Sequence, residues 1–140
     1  MLNFFLADLI SRIHVASCKF MYSVNVLYSI SNLRVLIVLN YEGFIEGFRI
    51  LKEGIIVFLK YNYLNNCMLF KNTKLVSTPG RRVYLNLIKL NKFYSYRNFS
   101  GIFLLSSNKG IITSTDALLK LRTSGEVLYL SIHYQKVLCI

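Results

Sequence analysis

The chain has 140 residues, room for one domain or two small ones sharing an interface. Hydrophobic residues make up 54% of it, yet the longest run without Lys, Arg, Asp or Glu, Phe20 to Leu33, holds two asparagines and three serines and falls short of the about 20 apolar residues of a spanning helix. The net charge of +11 is uneven: residues 1–70 carry six bases and four acids (+2), residues 71–140 eleven bases and two acids (+9), a field that favours a polyanion, either nucleic acid or an anionic membrane.

The opening "MLNFFLADLISRIHVAS" lacks the basic start of a signal peptide, and Asp8 and Arg12 interrupt its apolar run. Leu6, Leu9, Ile10 and Ile13 recur with helical spacing, which predicts an amphipathic helix of about three turns with Asn3 as N-cap. Val24, Val26 and Tyr28 alternate as a strand does. Ser31 is positioned to cap a second helix through Leu33, Leu36, Ile37 and Asn40, ending near Gly43. From Phe44 the period becomes two: "FIEGFRIL", the turn "KEG" and "IIVFLKY" predict a hairpin over 44–61, with Phe44, Glu46, Phe48 and Ile50 on one face. Residues 62–66 read as a junction, so the expected units are an N-terminal α/β subdomain, 1–62, and a mainly β subdomain, 63–140.

In the second unit "MLFKNTKLVS" is an expected strand leading to Thr78-Pro79-Gly80, with Pro and Gly where a type II turn prefers them. "RRVYLNLI" follows as a strand, with Val83, Leu85 and Leu87 on one side and Arg82 and Tyr84 on the other, and "NKFYSYRNFSG" as a loop. "IFLL" and "GIIT" are strands around Ser106-Ser107-Asn108-Lys109-Gly110. Ser114 or Thr115 caps a short helix, "DALLKLR", and Thr123-Ser124-Gly125 turns into a last strand, "EVLYLSI". The expected fold class is α+β: an α-β-α-β-β half packed against a mainly antiparallel half with one short helix.

Enzyme chemistry has little footing. Cys18, Cys67 and Cys139 have no CxxC spacing and read as small buried hydrophobes. His14 and His133 have no catalytic context, and neither a P-loop nor a G-x-S-x-G occurs. Asn98-Phe99-Ser100 fits a glycosylation sequon without any sign of secretion.

The turns say more. Ser106, Ser107 and Asn108 offer hydroxyls and an amide, Gly110 lets backbone approach a partner, and Lys109 suits a phosphate. The same five residues also make an ordinary hairpin turn. Around Pro79 and Gly80, the cations Arg81 and Arg82 stand beside Tyr84, a pairing useful for stacking on RNA bases. A solvated basic edge strand would look alike.

In order and spacing, "LADLISRI", "YEGFIEGFRI", "VSTPGRRVY", "GIFLLSSNKGIIT", "DAL" and "SGEVLYL" resemble the small-subunit ribosomal protein eight family, bacterial type, over about residues 4–132. The resemblance implies no enzyme, no cofactor and no metal. It implies direct binding to the central domain of small-subunit rRNA, with neighbouring ribosomal proteins as further partners. Carried over, the groove-entering turn is Ser106, Ser107, Asn108, Lys109 and Gly110; the Pro-Gly-x-Arg-x-Tyr motif is Pro79, Gly80, Arg82 and Tyr84; the Gly-Glu turn is Gly125 and Glu126; and Arg12 matches a family arginine. Arg81 adds charge where the family has an apolar residue, Asn108 replaces a serine, Ser124 replaces a glycine, and His14 and Asn32 stand where bases are common. Glu126 orients Ser or Tyr hydroxyls in a supporting role, accepts from a base amine, or forms a cross-strand pair with Lys or Arg. The tail from His133 to Ile140 runs past the family's end. The composition skew and family-like sequence beginning almost at Met1 lead to the expectation of an organelle-encoded protein, mitochondrial first and plastid second. The reading from another class is a basic peripheral membrane or protein-scaffold module.

Overall fold

The computed structural model describes residues 2–62, 67–68, 73–97 and 101–133. Helix α1, Leu2–Cys18, is longer than its periodicity suggested and places Asn3 inside its first turn, not at its cap. Leu6, Leu9, Ile10, Ile13 and Ala16 form its buried face. Strand β1, Ser23–Val26, ends before Tyr28, and α2, Ile30–Tyr41, follows. The α2 N-cap is Ser29, whose carbonyl accepts from Leu33 N–H at 2.9 Å, so Ser31 lies within the helix. Asn32 is fully buried and donates to the Leu27 carbonyl at 3.1 Å, which holds the β1–α2 loop from inside the fold.

Strands β2, Ile45–Leu51, and β3, Gly54–Leu59, form the expected hairpin, and β1 pairs with β3 to give the order β1-β3-β2. The single face expected for Phe44, Glu46, Phe48 and Ile50 does not form. A register shift between Ile45 and Gly47 breaks the alternation: Phe44 and Ile45 are both buried, while Glu46 and Ile50 are exposed. Tyr61–Asn62 (β4) pairs with Cys67–Met68 (β5); the rest of the 62–66 junction lies outside the described residues.

The second sheet has β10, Gly125–His133, at its centre. On one side of β10 are β6, Lys74–Leu75, and β7, Tyr84–Leu85; on the other is β8, Gly101–Ser107, which pairs onward with β9, Gly110–Thr113. The strand expected over "RRVYLNLI" is two residues long, because α3, Leu87–Arg97, begins where it was to continue, and the "NKFYSYR" part of the expected loop is helix. Asn86 supplies the first helical acceptor, to Leu90 N–H at 3.0 Å, and Leu90 is fully buried. Among the described residues the C-terminal half therefore holds a second helical piece beside the expected one. That expected piece runs Ser114–Asp116 (α4) into a π-turn, Ala117–Leu121. Its cap is Thr113, whose hydroxyl accepts from Asp116 N–H at 3.3 Å, in place of Ser114 or Thr115. Ser114 is buried instead and accepts from Phe103 N–H at 3.2 Å. The 98–100 sequon and the tail from 134 to 140 lie outside the described residues.

Strand β8 is buried on both faces. Leu104 joins the cluster built on α1, α2 and β1–β3, while Phe103 and Leu105 join a second cluster with Leu90, Ala117 and Val127. Between Val127 and Tyr129 the register against β8 slips, and the two adjacent residues Val127 and Leu128 go to different clusters. The sheet thus lies between two apolar layers.

Candidate nucleic-acid interface

The turn after β8 is built by its own serine. Ser107 Oγ accepts from Lys109 N–H at 3.2 Å and donates to the Gly110 carbonyl at 3.2 Å. Gly110 has φ +106, the left-handed conformation that closes a hairpin turn and favours glycine. Ser107 therefore shapes the turn, and the groups left to face outward are Ser106, Asn108 and Lys109, whose side chains have no protein hydrogen-bond partner among the described residues. Asn108 and Lys109 are exposed.

The second turn is held as firmly. Thr78 and Arg81 exchange backbone hydrogen bonds at 3.1 and 3.0 Å across Pro79-Gly80, and Gly80 has φ +91, as a type II turn requires. Ser77, fully buried, accepts from Val83 N–H at 3.1 Å, and the Val83 carbonyl accepts from Val127 N–H at 2.8 Å. These bonds fix the loop to β10 and deliver Arg82 and Tyr84 to its edge. The expected alternation survives: Arg82 and Tyr84 are exposed, Val83 and Leu85 half-buried.

The sheet register brings the two turns together. Glu126 on β10 lies opposite Ser106 of β8 on one side and Tyr84 of β7 on the other. Gly125 approaches β8 so closely that a Cβ there would collide with the Ser106 carbonyl. The result is an open cleft of about 360 Å³ lined by Tyr84, Asn86, Ser106, Asn108, Ser124 and Glu126 among others. Tyr84, 63% exposed, offers its ring. Glu126 forms an ion pair: its Oε1 accepts from Arg82 Nη1 at 2.8 Å, across 44 positions of sequence. Glu126 lines the cleft with its charge offset by Arg82.

The cleft thus gathers Ser106, Ser107, Asn108, Tyr84, Gly125 and Glu126, with Arg82 attached through Glu126. Pro79, Gly80, Arg81, Lys109 and Gly110 do not line it. Arg12 stands apart: it pairs with Asp8 at 2.8 Å, donates to the Asn25 carbonyl at 3.2 Å and lines a different cleft with residues of β1 and the β2–β3 turn. Sequence reasoning missed Asn86, which lines the cleft at the head of α3, a helix the sequence did not announce. Ser77, the clamp behind Tyr84, carries no local signal.

Among the described residues no three metal-ligating side chains converge, and no helix is long and apolar enough to cross a membrane. Comparison with known proteins gives a consistent picture. The family model "Ribosomal protein S8" matches residues 5–130. The small ribosomal subunit protein uS8 of Orientia tsutsugamushi (strain Boryong) is 40% identical over 128 residues, 88% of this chain and 92% of that protein. The uS8 of Phytoplasma mali (strain AT) is 40% identical over 127 residues with the same coverage, and uS8m of Acanthamoeba castellanii is 40% identical over 85 residues, 61% of this chain and 65% of that protein. The chain belongs to the ribosomal protein S8 family, whose members are structural proteins of the small ribosomal subunit and not enzymes.

Proposed function

We propose that this protein binds the central domain of small-subunit rRNA directly and stabilises its folding during subunit assembly. The observation that carries the reading is the three-strand register of Tyr84, Glu126 and Ser106 beside the 107–110 turn. A stacking ring, a carboxylate oxygen, a hydroxyl and an amide at one sheet edge suit a nucleotide's base and sugar better than a lipid headgroup. Around them Arg81, Lys109 and the other bases of the +9 half attract the phosphate backbone. In this reading residues 63–140 are the RNA-binding part and residues 1–62 support them, Arg12 contributing a separate contact. Neighbouring ribosomal proteins complete the surroundings. We place the protein in mitochondrial ribosomes, supported by its likeness to the Acanthamoeba uS8m.

The test is filter binding of the full chain to its own central-domain rRNA fragment and to a scrambled duplex, across a salt series. Preference for the cognate fragment that persists at high salt and falls at least about tenfold in Tyr84→Ala and Ser106→Ala is the expected result. Equal affinity for both RNAs, unchanged in the variants, overturns the reading. Anionic vesicles that compete as well as the cognate RNA would favour the peripheral-membrane module instead.

A further inference from the structure

The C-terminal end of α1 carries a cluster that the cleft does not use. Cys18, the last residue of the helix, is exposed, where its residue type alone suggested a small buried hydrophobe. His14 sits one turn before it on the same face, with its Nε2 3.9 Å from Cys18 Sγ. The other ring nitrogen, Nδ1, lies 3.2 Å from Oγ1 of Thr73, a buried residue 59 positions away. A proton on Nδ1, donated to that hydroxyl, leaves the Nε2 lone pair for the sulfur side. Ser17, three positions after His14, is buried, and its hydroxyl has no hydrogen-bond partner among the described residues.

The helix end is held at a cost in strain. Phe20 N–H donates to the Ser17 carbonyl at 3.1 Å and Met21 N–H to the Ala16 carbonyl at 3.0 Å, the two bonds of a Schellman cap. The left-handed position of that cap, usually glycine, is Phe20 at φ +53. Its ring lies 5.5 Å from that of Tyr61, whose hydroxyl donates to the Met21 carbonyl at 2.6 Å. The backbone of Cys18 is therefore fixed before any ligand arrives, which lowers the ordering cost of binding. The partial negative charge at a helix C-terminus opposes a bare thiolate and favours a bound cation. Lys19, exposed and next in the chain, opposes that cation and limits its affinity.

We propose that Cys18 and His14 form a two-residue clamp for a thiophilic d10 cation of the Zn²⁺ type. With metal–sulfur and metal–nitrogen bonds of about 2.3 and 2.0–2.1 Å, their 3.9 Å separation corresponds to an S–metal–N angle of about 125–130°. A metal thus enters between the two atoms with little movement. On binding, the sulfur–metal and nitrogen–metal bonds form and the thiol proton leaves to solvent. Thiolate and imidazole select such a cation over Mg²⁺, which prefers oxygen. Among the described residues no third Cys, His, Asp or Glu joins the pair, so water or a small thiol takes the open positions beside the exposed Cys18. Thr73 is a positioning residue: it orients the His14 ring from the segment entering β6, so a bound metal fastens the end of α1 to the second half of the chain.

The experiment titrates the reduced, metal-free full chain with Cd²⁺, a Zn²⁺ analogue whose bond to a thiolate gives an ultraviolet charge-transfer band. The expected band saturates at about one equivalent, persists in Cys67→Ser and Cys139→Ser, and is lost in Cys18→Ser. Affinity should fall at least about tenfold in His14→Gln, which leaves a thiol without its chelating partner. Zn²⁺ should displace Cd²⁺, and Mg²⁺ in large excess should not. In nitrogen-15 spectra of the parent chain, Zn²⁺ should shift the ring nitrogens of His14 and leave those of His133, a readout that needs no substitution. A band that survives Cys18→Ser, an affinity unchanged in His14→Gln, displacement by Mg²⁺, a shift at His133 in place of His14, or no band would each overturn the proposal. The outcome does not depend on the cleft binding RNA, which the filter assay reads separately.

Discussion

In the helices and hairpin of residues 2–61, polar side chains serve the protein's own architecture: Arg12 bonds Asp8 and the Asn25 carbonyl, Asn32 holds a loop, and the Tyr61 hydroxyl donates to the Met21 carbonyl at 2.6 Å. In the β6–β10 sheet the two acids of the basic half are each held by a base, Glu126 by Arg82 and Asp116 by Lys120. Arg81, Lys89, Lys92, Lys109 and Arg122 are exposed and have no carboxylate partner among the described residues. The first region also leaves bases such as Arg34 and Lys52 without an ion-pair partner among the described residues, but its four acids nearly balance its six bases. The second neutralises its own anions and leaves its cations and one polar cleft unsatisfied, which is the physical signature of a surface completed by something else.

The comparison fails first if the regions are not mechanically joined. Leu104→Ala, which removes the β8 side chain from the N-terminal core, should cost about 2–5 kcal/mol in a denaturant titration. Tyrosine fluorescence and far-ultraviolet circular dichroism should shift together; a shift in one probe alone would mean two independent cores. Gly125→Ala should cost about 1–3 kcal/mol by forcing β10 from the Ser106 carbonyl, and should weaken cognate RNA binding beyond that of any exposed lysine variant. The two neighbouring arginines sharpen the contrast further. Arg81→Ala should lower the salt slope of RNA binding by about one, a lost phosphate contact. Arg82→Ala should weaken binding while leaving the slope nearly unchanged, because its charge already belongs to Glu126. The smallest effect is expected at Lys120, fully exposed, where Asp116 raises the ammonium pKa above its ordinary 10.5 through a hydrogen bond and its charge. A raised folded-state pKa stabilises below the unfolded value and loses that contribution as pH climbs through the folded one. Lys120→Gln should therefore leave thermal melting at pH 7 within error, and any small difference from the parent should vanish at pH 12.

What could be read from the sequence was what is local. The spacing of Leu6, Leu9, Ile10 and Ile13 sufficed for α1, and Pro79-Gly80 specified its turn, because each carries its conformational reason within a few residues. The S8-family motifs located the cleft's parts. Helix α3 was not legible: Val83, Leu85 and Leu87 continue a strand's alternation, and only the second core, which buries Leu90, decides for a helix. The faces of β2 depended on a bulge at Ile45–Gly47 that no residue type announces. The Arg82–Glu126 pair joins residues far apart in sequence, so each role read for Glu126 was compatible with its neighbours in the chain. Ser107 read as a recognition hydroxyl, and the structure shows that it also builds the turn, since the same short side chain suits both tasks.

The two-faced burial of β8 has a consequence for timing. Leu104 needs partners from α1 to β3, already synthesised, but the strand bearing Ser106 also needs β10, and Glu126 enters the cleft only with it. A nascent chain that has not yet released residues 125–133 from the ribosome that makes it lacks Leu128 of the N-terminal core and has no cleft. The proposed RNA contact is thus withheld until β10 has been made, so a copy lacking that strand has little means of occupying a place in a growing subunit.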